Sequence, residues 1–152
     1  MSDIISRPFI SEDRSACLSI FDSNVPLFFS PEERVEFNDH LENLDAITTP
    51  YIVLVRDDAV VACGGLTVDI TRQRASLSWG MVDRASHGQR LGNVLTQARL
   101  TLARSISGVA EIELSTSQHT HGFYEGFGFV LSTITPSGFG PGLDRWDMTL
   151  KL

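Results

Sequence analysis

Trp79-Gly80-Met81-Val82-Asp83-Arg84-Ala85-Ser86-His87-Gly88-Gln89-Arg90-Leu91-Gly92 is the stretch on which the reading of this chain turns. Residues 77–82 are apolar and read as a strand. They run into a polar loop that carries Gly88, and the loop passes directly into a long amphipathic pattern from Leu91 onward, with Leu91, Val94, Leu95, Ala98 and Leu102 on one face. A strand, a glycine-bearing loop and a helix start together make an anion site. The first N–H groups of a helix have no intrahelical partners, and the helix dipole adds partial positive charge there. Arg84 and Arg90 flank the loop with fixed charge, and Gly108 stops the helix.

The charge distribution points the same way. The net charge of −7 argues against a nucleic-acid partner. Residues 1–70 carry 13 acids and 4 bases, a balance of −9, whereas residues 71–110 carry 6 arginines and one acid, Asp83, a balance of +5. Positive charge is concentrated around the loop, as suits a polyanionic ligand beside an otherwise acidic protein. Arg99 and Arg104 read as the solvated face of the helix.

The chain has 152 residues, 42% of them hydrophobic and 20% charged, which suits one globular domain over residues 1–152 with a proper core. No apolar run is long enough to span a membrane, and MSDIISRPF has no signal pattern, so a cytoplasmic location without membrane contact is the expectation. Cys17 and Cys63 lack metal-type spacing and read as small buried thiols, and no metal site is expected.

The other elements follow in order. Residues 4–10 form a short strand interrupted by Pro8. Residues 11–24 form a helix with Ala16, Leu18, Ile20 and Phe21 that ends at Asp22-Ser23-Asn24. Ser30-Pro31-Glu32-Glu33 starts a second helix with a capping box. Residues 51–55 and 59–68 form a hairpin about Asp57-Asp58, with a bulge or a close approach at Gly64-Gly65. Residues 74–82 and 112–116 are strands, 121–127 a short helix, 129–135 a strand, 137–142 a loop, and 146–152 a last strand. Helices on a mixed sheet make this an α/β (α+β) fold, with a parallel crossover through the long helix.

The loop has neither the Gly-Lys-Ser/Thr ending of a Walker loop nor the G-x-G-x-x-G of a dinucleotide loop. It reads His87-Gly88-Gln89-Arg90-Leu91-Gly92, and about thirty residues on stands Phe123-Tyr124-Glu125-Gly126-Phe127-Gly128-Phe129. This pair resembles the Gcn5-related N-acetyltransferase (GNAT) superfamily. Its pyrophosphate loop commonly reads R-G-x-G-x-G or Q-x-x-G-x-A, and its members often carry a Y-E-x-x-G-F string. His87 stands where the family has Arg or Gln, and Arg90 where it has Gly; Gly92 keeps the last small position.

The resemblance spans nearly the whole chain. It implies a seven-stranded, mostly antiparallel mixed sheet with about four helices on both faces, splayed between the fourth and fifth strands. It implies acetyl-CoA as co-substrate, held by Met81, Val82, Arg84, His87, Gly88, Gln89, Arg90, Leu91, Gly92, Asn93 and Ser117. It implies an acetyl group moved to a primary amine of a small molecule or peptide, by direct attack through a tetrahedral intermediate. A non-catalytic acyl-CoA-binding or regulatory module on the same fold is the alternative.

Tyr124 takes the role of acid toward the departing thiolate by that resemblance; a ring packed under the sheet is the plainer reading. Gly80 in mid-strand suits either a bulge that frees ladder groups or tight packing beneath Trp79. The acceptor pocket is expected at Asp22, Asn24, Phe28, Trp79 and Glu113, although a capping cluster and core aromatics would explain the first of these equally. The strand before the loop has no carboxylate, which leaves the general base open among Glu113, His119, His121 and a water chain. Terminal edge strands are compatible with a homodimer.

Overall fold

Along the chain run β1 (Ile5–Pro8), α1 (Arg14–Ser23), α2 (Glu33–Glu42), β2 (Tyr51–Arg56), β3 (Ala59–Asp69), β4 (Arg74–Val82), α3 (Leu91–Ser105), β5 (Glu111–Thr116), α4 (His121–Glu125), β6 (Val130–Gly140) and β7 (Leu143–Lys151). This is a computed structural model, and it describes residues 3–152; Met1 and Ser2 lie outside them. The strands form one sheet in the order β1-β2-β3-β4-β5-β7-β6. Pairs β1–β2, β2–β3, β5–β7 and β6–β7 are antiparallel, and β4–β5 is parallel. The parallel ladder runs from Arg74 with Glu111 to Ser76 with Glu113, a short pairing consistent with the expected splay. Among the described residues no helix is long and apolar enough to cross a membrane.

Two compact units make up the chain. The first holds the sequence up to Thr67 together with Leu77–Leu102. Its strand β2 is buried on both faces. Tyr51 and Val53 pack with Cys17, Ile20 and Phe21 of α1 and with Phe37 and Leu41 of α2, while Ile52 and Leu54 pack with Leu91 and Leu95 of α3. A strand covered on both sides needs a continuous apolar run, which Tyr-Ile-Val-Leu-Val supplies. Phe21 and Phe37 are fully buried, and truncating either to Ala costs about 3–5 kcal/mol. Cys17 and Cys63 are both buried free thiols, as read from the sequence. Hydrogen bonding to Cys63 and burial hold the Cys17 thiol protonated.

The β2–β3 hairpin turns at Asp57 and Asp58, both at positive φ (52° and 63°), the geometry that two-residue hairpins favour. The register shift in this ladder falls at Leu54/Val55, not at the glycines. Gly64 and Gly65 serve close approach instead. A Cβ at Gly65 would lie 2.3 Å from the Pro50 carbonyl oxygen, and one at Gly64 would lie 3.1 Å from Cα of Gly80. The capping box before α2 is half formed: Glu33 accepts from the Ser30 N–H at 3.0 Å, and the helix proper begins only at Glu33.

The second unit comprises Val68–Ser76 and Ala103–Leu152. Ile112, Leu114, Phe129 and Met148 are buried within it. Residues 137–140, expected in a loop, continue β6 to Gly140. The β6–β7 register shifts between Thr135 and Gly140, where Pro136 and the positive φ of Ser137 (52°) distort the strand. The turn residues are Pro141 and Gly142.

Candidate active site

Strand β4 kinks at the residue before its mid-strand glycine. Trp79 sits at φ 45°, a left-handed conformation that costs a non-glycine residue energy, and Gly80 follows it. The Trp79 carbonyl accepts a 2.7 Å hydrogen bond from the Tyr51 hydroxyl. Trp79 itself is half-buried, packed against Phe29 and Phe37 with ring centroids 6.2 and 5.2 Å away.

Beyond β4 the chain makes one turn of 3₁₀ helix at Arg84–Ser86 and reaches α3 through Gly88 at φ 82° and Arg90 at φ 62°. The left-handed conformation at residue 90 accounts for the glycine common at that position in the family: Arg90 adopts a conformation that glycine takes without strain. Arg84, Gly88, Gln89 and Arg90 are exposed around the start of α3, and a Cβ at Gly88 would meet nothing within 4 Å. Two guanidinium groups, a left-handed turn and the first N–H groups of a fifteen-residue helix fit a pyrophosphate.

The loop is braced by side chains that the sequence did not single out. Arg56, at the end of β2, donates to Gln89 Oε1 at 2.5 Å and to Ser86 Oγ at 3.2 Å. Nothing in the spacing of Arg56, which stands at a hairpin turn, announces that contact. His87 turns back on its own strand. Its Nε2 donates to the Val82 carbonyl at 2.9 Å, and its ring lies 5.4 Å from that of Phe28. The Arg84 guanidinium lies over the Phe28 ring, 5.6 Å from its centroid. Phe28 is 60% exposed despite these contacts. Asn24 is 2% exposed and donates to the carbonyls of Ile20 and Val82, both at 2.9 Å. The Val82 carbonyl thus accepts from both Asn24 and His87, while the next N–H groups are tied inward, that of Asp83 to the Val61 carbonyl at 2.8 Å and that of Arg84 to Ser23 Oγ at 3.1 Å. Asp22 is paired with Arg34 through two hydrogen bonds, at 2.8 and 3.2 Å. Asn24, Phe28, Val82, Arg84 and His87 are therefore one contiguous group, and Asp22 is engaged elsewhere.

Arg99, read as solvated, is 4% exposed. It continues the core-facing stripe of α3 one turn beyond Leu95. The two glycines Gly64 and Gly80 make room for it: a Cβ at Gly80 would lie 2.6–2.8 Å from the guanidinium. Val94, expected on the core face, is exposed instead.

In the second unit, the Tyr-Glu-x-x-Gly-Phe string has a local physical basis. Tyr124 packs edge-on against Phe123 and Phe129, at 5.1 and 6.0 Å. Gly128 takes φ 99°, and Phe129 is buried to 2% exposure. Glycine reverses the chain so that phenylalanine can anchor the helix bearing Tyr124. Ser117 precedes that helix, and its Oγ accepts from the His119 N–H at 3.2 Å. Glu113 is held by Arg74 at 3.0 Å, by Arg72 at 3.2 Å and by the Ser76 hydroxyl at 3.2 Å. Its oxygens are engaged in the β4–β5 ladder region. His121 is stacked on Trp146 at 4.1 Å, and its Nδ1 meets Glu125 at 2.5 Å.

The model of the acetyltransferase (GNAT) domain matches residues 33–152, well over half of the chain. The chain belongs to the GNAT acetyltransferase family. As a GNAT protein it is an acyltransferase. Among solved structures it is similar to a GNAT-family protein from Desulfovibrio desulfuricans, at 20% identity over 98% of this chain and 99% of that one, with a TM-score of 0.83. It is also similar to a ribosomal-protein-alanine N-acetyltransferase from Brucella melitensis, at 20% identity over 97% and 99% of the two chains and a TM-score of 0.80. A third likeness is to an aminoglycoside 6′-N-acetyltransferase complexed with coenzyme A, at 14% identity over 97% and 96%, with a TM-score of 0.77. At these identities the likenesses establish the GNAT fold alone. No curated protein matches the sequence.

Proposed function

We propose that this GNAT protein transfers the acetyl group of acetyl-CoA to a primary amine of a small molecule or a peptide in the cytoplasm. The observation that carries the reading is the left-handed turn through Gly88 and Arg90 into the start of α3, flanked by Arg84 and Arg90. It is a cradle for a pyrophosphate and lacks the lysine and hydroxyl that a transferable γ-phosphate requires. Two of the structurally similar proteins are named for amine-bearing acceptors, an alanine of a ribosomal protein and an aminoglycoside, which supports the amine class.

Bound acetyl-CoA supplies a thioester and a thiolate leaving group. The chain's own residues do the rest. A lysine-type amine has a pKa of about 10.4, so only about one in 2,500 is free at pH 7, and a proton must be drawn off before attack. With Glu113 engaged by two arginines and a serine, a water chain is the base this reading favours. The Met81 N–H, two residues past the left-handed Trp79, donates to the oxyanion of the tetrahedral intermediate. Tyr124 gives its hydroxyl proton to the departing thiolate. Concerted or water-relayed transfer carries that proton.

Coenzyme A release measured against a panel of polyamines, aminoglycosides and N-terminal peptides tests the proposal. Turnover with one class supports it. Tight acetyl-CoA binding with no turnover on any class, across pH 6–9, would show instead a non-catalytic acyl-CoA-binding module.

A further inference from the structure

An arginine in the middle of an amphipathic helix belongs by default on its wet face. Arg99 does not lie there: with Leu91 and Leu95 it forms a stripe at four-residue spacing directed at the sheet, and it is 4% exposed. Burying a guanidinium is costly, so a fold that does so holds it for a purpose. Its surroundings are built to admit it. Gly64 on β3 and Gly80 on β4 stand side by side, a Cβ on the first lying 3.1 Å from Cα of the second. Together they open a slot. A Cβ at Gly80 would lie 2.6 Å from Nη2, 2.7 Å from Nη1 and 2.8 Å from Cζ of Arg99, and one at Gly64 would lie 3.3 Å from its Cδ and Nε.

The opposite face of the same strand is held as well. Tyr51 packs in the cluster formed with α1 and α2, and its hydroxyl donates to the Trp79 carbonyl at 2.7 Å. Burial pushes the phenol of Tyr51 well above its usual range, so it stays a donor. Between these two groups lies Trp79 at φ 45°. A strained conformation in a non-glycine residue persists only where its surroundings over-determine it.

The geometry points to Arg99 as a positioning residue that, with Tyr51, clamps the left-handed kink of β4 at Trp79–Gly80 from the two faces of the sheet. The inference rests on the proposed function in one respect, that the Met81 N–H beyond the kink is the oxyanion donor. The orientation of the Trp79 and Gly80 peptide planes sets where that N–H points. A buried cation behind the same peptide also favours negative charge developing in front of it. Neither Arg99 nor Tyr51 touches the reacting atoms; each acts through the backbone.

The test uses the full chain and a double-mutant cycle. Arg99→Met and Tyr51→Phe are each expected to lower kcat about 100-fold, the scale of a roughly 1 Å misplacement, with the KM for acetyl-CoA within about twofold. Because both act on one kink, the double variant is expected to be no slower than the slower single variant. Gly80→Ala, which pushes the guanidinium away while keeping it, is expected to reproduce the loss and guards against a folding defect in Arg99→Met. Unchanged kcat in Arg99→Met, a loss carried wholly by KM, or additive losses in the cycle would overturn the clamp. If the wild-type chain turns over no amine, the proposed function falls, and the clamp is read by hydrogen exchange at the Met81 amide. Faster exchange in folded Arg99→Met or Gly80→Ala upholds it, and wild-type exchange in both overturns it.

Discussion

The side-chain amide of Asn24 donates to the Val82 carbonyl at 2.9 Å and so fastens the end of α1 to the end of β4. The same nitrogen reaches the Ile20 carbonyl, so one buried side chain serves as helix terminator and tether. Asn24→Ala removes two hydrogen bonds, although the Val82 carbonyl keeps His87 and the Ile20 carbonyl keeps the Ser23 hydroxyl, and at about 0.5–1.5 kcal/mol per bond it is expected to cost about 1–3 kcal/mol of stability. It is also expected to raise the KM for acetyl-CoA, because Val82 leads into the loop. Chemical denaturation and steady-state kinetics on one preparation check both.

Tyr124→Phe removes only the hydroxyl. Packing against Phe123 and Phe129 is kept, so the melting temperature is expected to stay near that of the wild type. Turnover is expected to fall by about tenfold or more, within the range of general acid catalysis, with acetyl-CoA affinity little changed. Wild-type turnover would remove Tyr124 from the mechanism.

Two substitutions at position 90 separate strain from charge. Arg90→Gly relieves the left-handed conformation, whereas Arg90→Ala keeps it. The glycine variant is expected to be the more stable of the two by about 1 kcal/mol. Both lose the cation, and at low salt both are expected to bind coenzyme A about threefold or more weakly, a difference that salt erases. Equal affinity at low salt would mark Arg90 as an ordinary surface residue, with the backbone amides doing the holding.

The response to acid should come in two stages. Burial lowers the pKa of His40, whose ring lies against Tyr51 and Trp79. The unfolded chain therefore takes up this proton first. The neutral-histidine contribution is complete above the unfolded value of about 6.5 and declines as pH falls below it. His40→Gln is expected to flatten that limb in a series of melts from pH 7.5 to 5. Asp13 lies lower still. Its bidentate hydrogen bonds with Arg7 hold its carboxyl below the usual range, so its contribution is present above the unfolded value of 3.8 and is lost as pH falls through the folded one. Asp13→Asn is expected to reduce stability at neutral pH and to shrink the drop in the most acidic range.

The residues that made the fold legible were those whose local chemistry has few alternatives. The apolar run of β2 had to be buried on both faces, Asp57-Asp58 had to turn, and Gly128 had to precede a buried Phe129. The loop at Gly88 and the Tyr124 string were legible for the same reason. What stayed hidden depended on partners distant in sequence. Arg99 sits on a face that reads as apolar only once its neighbour Leu95 is seen against the sheet, and the slot that admits it needs Gly64 and Gly80 together. Arg56 and Gln89 are 33 residues apart and share no pattern. Glu113 looked available as a base because nothing near it in sequence foretells Arg72 and Arg74.

Strand β6 stands last in the sheet order and leaves Val130, Leu131, Ile134 and Phe139 exposed. A long apolar edge is a template on which further chains add strand by strand. The distortion at Pro136 and Ser137 interrupts that template: proline offers no N–H, and the left-handed serine breaks the pleat. It acts as a gatekeeper. Straightening it, by Pro136→Val with Ser137→Thr, would be expected to convert a soluble preparation into one that aggregates as β-structure.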